Sequence, residues 1–62
     1  MKAATVDLIP GDVLTLGVMG RETVLTVRPA GHHLWQVTVR RQLDDAVRVF
    51  HVAAEAMHEV AR

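Results

Sequence analysis

Sixty-two residues, no cysteine and a formal charge of zero already narrow what this chain can be. A chain this short buries only about 60% of its unfolded surface, so one small domain over residues 1–62 is expected, held without disulfides or a thiolate metal site. Half the residues are apolar, too many for a disordered tail, and zero net charge argues against a protein whose main task is neutralising phosphates.

The N-terminal stretch MKAATVDLIPGD has one lysine and no long apolar run, so it does not read as a signal peptide. The uncharged stretch between Asp12 and Arg21 is broken by two glycines, and no uncharged stretch of the chain is long enough to span a bilayer. A cytoplasmic protein with no membrane association is expected.

Pro10-Gly11 is a turn signal, because proline presets one dihedral and glycine tolerates a positive one. The first predicted strand follows as VLTLGV, residues 13–18, with Leu14, Leu16 and Val18 on one face. After a break at Met19-Gly20-Arg21, a second strand runs from Glu22 to Arg28. Its alternation places Thr23, Leu25 and Val27 on the apolar face, and Glu22, Thr26 and Arg28 on the polar one. Val24 is the exception on the polar side.

PAGHH, residues 29–33, reads as a loop, and LWQVTVRR as the third strand. Here Trp35, Val37 and Val39 point inward, and Gln36, Thr38 and Arg40 outward. Period-two alternation of β-branched residues is the signature of a half-buried strand. Three such strands with short links make an antiparallel meander, closed by a loop at Gln42-Leu43-Asp44-Asp45.

RVFHVAAEAMHEVAR, residues 48–62, admits two readings. Polar residues Asp44, Arg48, His51, Glu55, His58 or Glu59, and Arg62 recur at helical spacing, with Asp44 or Asp45 as an N-cap. Against this, Val47, Val49, Phe50 and Val52 prefer strand. The first reading gives a three- or four-stranded antiparallel sheet packed by a C-terminal helix. In the second, further strands curl the meander into a small barrel.

The pattern DLIPGDVLTLG, RETVLTVRPAG, WQVTVRR and RVFHVAAEAMHEVAR resembles the small SH3-like barrels of actinobacterial and phage proteins. The resemblance implies an all-β barrel of about five strands, with a one-turn 3₁₀ helix at Ala53-Ala54-Glu55-Ala56 before a closing strand at residues 58–61. Six arginines to one lysine, with no serine, asparagine or tyrosine, is the usage of GC-rich coding sequence and agrees with that origin. WQVTVRRQLDDAVRVFHVAAEAM is also similar to the end of DNA-binding domains in which a three-stranded sheet enters the major groove. That second resemblance goes with the sheet-plus-helix fold.

No serine or cysteine nucleophile and no glycine-rich phosphate loop is present, so no enzyme, small-molecule substrate or cofactor is expected. His51, Glu55 and His58 would share one face of a helix, but one helix cannot build the multi-helix carboxylate site that Glu-x-x-His serves. No metal is expected. With only Trp35 and Phe50 as aromatics, neither a proline-peptide groove nor a methyl-lysine cage can be built, and Trp35 reads as core.

What remains is a binding module that docks on another protein or on its own copy. The alternative is a sheet-face nucleic-acid binder. The residues that would serve either are Arg28, Gln36, Thr38, Arg40 and Arg41, exposed on the polar face of the second and third strands or beside the following loop.

Overall fold

The computed structural model describes residues 1–15 and 20–61. It is all-β, and the strands are β1 (Lys2–Ala4), β2 (Val13–Thr15), β3 (Arg21–Pro29), β4 (Leu34–Arg41), β5 (Val47–Ala53) and β6 (Met57–Ala61). They form one antiparallel sheet in the order β1-β6-β2-β3-β4-β5. No ladder joins β1 to β5 among the described residues, so the sheet is not closed by hydrogen bonds.

The tail is strand, turn and strand, and the C-terminal helix does not form. The 3₁₀ turn expected at Ala53–Ala56 is instead a tight turn closed by the Ala56 amide on the Ala53 carbonyl. A 3₁₀ turn does occur at Thr5–Asp7, where the sequence reading placed none. It follows β1, a short strand that the reading also missed. Leu16 and Val18, expected to extend the first strand, lie outside the described residues.

The Ala53–Ala56 turn forces the sheet to bend. Four Cα steps separate Ala53 from Met57 and reach at most about 14 Å. In a flat sheet β5 and β6 would stand four strand spacings apart, about 19 Å. The sheet therefore curls until its two halves face each other. Hydrogen bonds from the Val6 amide to Ala54, from the Thr5 amide to Ala56 and from the Ala54 amide to His33 seat the corner.

The inner face supplies the core: Ala3, Leu8, Leu14, Val24, Val37, Val39 and Val60, flanked by Val27, Phe50 and Val52. Trp35 lies on this face but is only half-buried, near its open end.

On β3 the expected alternation fails for a definite reason. A bulge leaves Leu25 unpaired between the Val24–Val39 and Thr26–Thr38 pairs, and one extra residue reverses the face of everything before it. Glu22 and Val24 consequently point inward and Thr23 outward, while Val27 keeps its inward position.

The Ile9–Asp12 turn is anchored at the bulge. Gly11, at φ 97°, donates its amide to the Val24 carbonyl, and the Val24 amide donates to Asp12. The Asp12 carboxylate accepts from the Ile9 amide at 3.0 Å and locks the turn from inside.

Candidate functional site

Register decides which side chains share a face, because directly opposed residues in an antiparallel pair project to the same side. Arg28 opposes Gln36, Gln36 opposes His51, and Thr38 lies between Thr26 and Val49. Arg40 opposes Thr23 and Val47. Four of the five candidate residues, Arg28, Gln36, Thr38 and Arg40, therefore lie together on the outer face. Arg28 and Arg40 are exposed, and Gln36 and Thr38 are half-exposed.

Arg41 does not belong with them. It opposes Glu22 on the inner face, half-buried, and its guanidinium reaches the Asp44 carboxylate at 3.4 Å. The one-residue alternation between Arg40 and Arg41 is the cause. Arg21 takes the vacant place: it pairs with Thr15 and faces outward, as the bulge requires. The sequence reading missed it because the bulge had not been recognised; buried Val24 on the supposed polar side was the available signal.

The β5 edge is the second feature. The Ala54 amide donates to His33 and the Arg41 amide to Ala46, which fixes the phase of the β4–β5 ladder. Hydrogen-bonded and non-bonded pairs alternate along an antiparallel ladder. Arg48, Phe50 and Val52 therefore bond β4, while Val47, Val49 and His51 turn their amides and carbonyls to the open side. No hydrogen bond reaches those groups from the described residues. Val47 and Val49 are also 59% and 52% exposed, so a polar backbone edge and an apolar side-chain row coincide.

One ion pair holds this edge strand to the body. Arg48 donates from Nε and Nη2 to the two carboxylate oxygens of Glu22, at 2.7 and 2.6 Å, and its guanidinium lies 4.9 Å from the Phe50 ring centroid. Glu22 is 1% exposed, which makes it a buried carboxylate on the core side of the sheet. The Arg48 hydrogen bonds hold it below the usual carboxylate range, against the opposing effect of burial, with the charges of Arg48 and Arg41 assisting. Arg48 is raised by the same bonds.

A second buried polar contact ties the 3₁₀ turn after β1 to β6. Thr5, fully buried, places Oγ1 2.7 Å from Nε2 of His58 and 3.3 Å from the Ala56 carbonyl. Burial lowers the affinity of the His58 imidazole for a proton. The helical row His51, Glu55 and His58 does not exist: His51 is on the outer face of β5, Glu55 in the turn, and His58 on the inner face of β6.

These two groups set an expected pH profile. Unfolded, the imidazole takes up a proton near 6.5 and the carboxyl near 4.3; folded, each does so only at lower pH. Stability is therefore intact above about pH 6.5, declines as His58 is forced to charge, and falls again below about 4.3 as Glu22 protonates. Urea midpoints at neutral, mildly acid and strongly acid pH test this, and His58→Gln should flatten the first decline while leaving the second.

No helix among the described residues is long and apolar enough to cross a membrane. Nor do three or more His, Cys, Asp or Glu side chains gather there in a way that could hold a metal ion. Comparisons with protein-family models, with curated proteins and with solved structures returned no match to this chain.

Proposed function

We propose that this protein is a non-enzymatic binding module that captures an extended segment of a protein partner along β5. The observation that carries this reading is the open seven-residue edge strand, whose unpaired backbone groups at Val47, Val49 and His51 lie beside exposed valine side chains. Strand addition draws affinity from main-chain hydrogen bonds and specificity from alternate side chains, and the β5 edge offers both. Natural edges are usually blunted by charge, proline, a bulge or extreme shortness; β5 has no proline, bulge or shortness, and its one charge, Arg48, is turned inward and paired with Glu22. The fold is read as a small SH3-like barrel with an added N-terminal strand. Supporting that reading, β2 to β5 form a meander and β6 returns beside β2, as the last strand of such barrels does.

A specific observation favours a second reading. Arg21, Arg28 and Arg40 share the outer face with Gln36 and Thr38, a set suited to phosphate and base-edge contacts.

One experiment separates the two. Peptides selected from a random display library should perturb the NMR amide signals of Val47, Val49 and His51, and should lose binding at least tenfold to Val49→Pro. That proline removes an outward amide that the β4 ladder does not use. If instead the protein binds duplex DNA with steep salt dependence, lost in Arg28→Ala/Arg40→Ala but kept in Arg41→Ala, the second reading replaces the first.

A further inference from the structure

We infer that a second copy of this chain occupies the β5 edge, the two β5 strands pairing antiparallel about a two-fold axis through Val49. The inference rests on the reading of β5 as the interaction edge and names its occupant.

Among the described residues of β5, only Val47, Val49 and His51 present both amide and carbonyl to the open side, and they are symmetric about Val49. In a two-fold antiparallel pair centred there, Val49 faces Val49 of the second copy and Val47 faces His51. Every one of these outward donors and acceptors then finds a partner.

Neighbouring registers are worse. Centring on Arg48 faces His51 with Asp45, where the chain at φ 59° has already turned away, and leaves the outward groups of His51 without a partner. Centring on Phe50 faces Val47 with Ala53, whose carbonyl already accepts the Ala56 amide. Beyond Val47 the strand cannot extend the pairing, because Asp45 at φ 59° turns the chain away.

Side chains agree with the Val49-centred register. It brings Phe50 of the second copy opposite the stem of Arg48, whose guanidinium stays on its own Phe50 and Glu22. On the outer face it gathers exposed Val47 and Val49 of both copies into one apolar strip. The charge of Arg48 does not oppose this, since Glu22 balances it within each chain.

Sedimentation of the full chain should show the mass rising from 6.8 kDa toward twice that value as concentration increases from about 10 μM to about 1 mM. Cysteine placement reads the register, because the chain has no cysteine of its own. Val49→Cys should oxidise to a disulfide-linked dimer, since paired Cα atoms about 5.5 Å apart suit a disulfide. Val47→Cys and His51→Cys should each fail alone, being about 13 Å from their own copies, yet cross-link when mixed.

A monomer at every concentration overturns the inference, and so does a dimer in which Val49→Cys does not cross-link or Val49→Pro leaves the association unchanged. None of these results touches peptide capture at β5. Should the selected peptides bind Val49→Pro as tightly as the parent protein, the reading of β5 as a capture edge fails instead, whatever the oligomeric state.

Discussion

Replacing Arg48 with alanine should destabilise the protein by about 2–3 kcal/mol and leave a large fraction unfolded at room temperature. The loss comes less from the attraction removed than from the carboxylate left behind. Glu22 is 1% exposed, and both of its oxygens accept from Arg48. Breaking a fully buried pair on one side typically costs about 3–5 kcal/mol. The Arg48 side chain is 43% exposed, so water enters where it stood and reaches Glu22, which reduces the figure.

Even the reduced loss is large for this chain. At about 0.05–0.15 kcal/mol per residue, 62 residues amount to roughly 3–9 kcal/mol, and small cores sit at the low end. Urea unfolding followed by Trp35 fluorescence and far-UV circular dichroism measures the change. The double variant Glu22→Leu/Arg48→Leu should recover most of the loss, because apolar side chains of similar volume replace a buried pair at little cost. A double variant no more stable than Arg48→Ala would show that the pair specifies the β3 and β5 geometry in a way that packing cannot.

Leu14→Ala should cost about 2–5 kcal/mol, the range for emptying a buried leucine site. Leu14 is 2% exposed and opposes both Glu22 on β3 and Val60 on β6. It is the central inward side chain of the strand that joins the two halves of the sheet, so a cavity there has few neighbours able to collapse into it. Thermal unfolding should show a drop of about 4–8 °C for each kcal/mol lost. Val49→Ala supplies the contrast. This residue is 52% exposed in the single chain, and at dilutions where the chain is monomeric a surface change of this kind stays within about 0.5 kcal/mol.

Much of the fold was legible from alternation alone. The existence of the β3 and β4 strands and of the Gln42–Asp45 loop follows from β-branched residues spaced by two. The outer positions of Arg28, Gln36, Thr38 and Arg40 follow as well. The tail was ambiguous because AAEAM and the preceding valines have opposite propensities, and local preference could not choose between them. Long-range pairing chose: His58 and Glu59 lie in the β6 ladder beside β1, and Val60 and Ala61 beside β2, contacts no local window contains. β1 was missed for the same reason, since KAA has no strand pattern and pairs only because β6 is already there.

The site divides along the same line. Alternation brought Arg28 and Arg40 to one face, but strict period two passes over the Leu25 bulge, which sends Glu22 inward and Arg21 outward. Nor could it see that Arg41 turns to the inner face beside Asp44, or that Arg48 reaches across from β5 to the buried carboxylate.

By itself the sequence determined that this chain is a β meander with a polar outer face, no cysteine chemistry and too few aromatics for a peptide groove. Period-two spacing and composition are local properties and can be read without neighbours. Only the tertiary structure decided that the tail is two strands, that the sheet curls, and that a buried ion pair braces the open β5 edge. Each of those depends on register between segments distant in sequence, and one bulged residue is enough to reverse it.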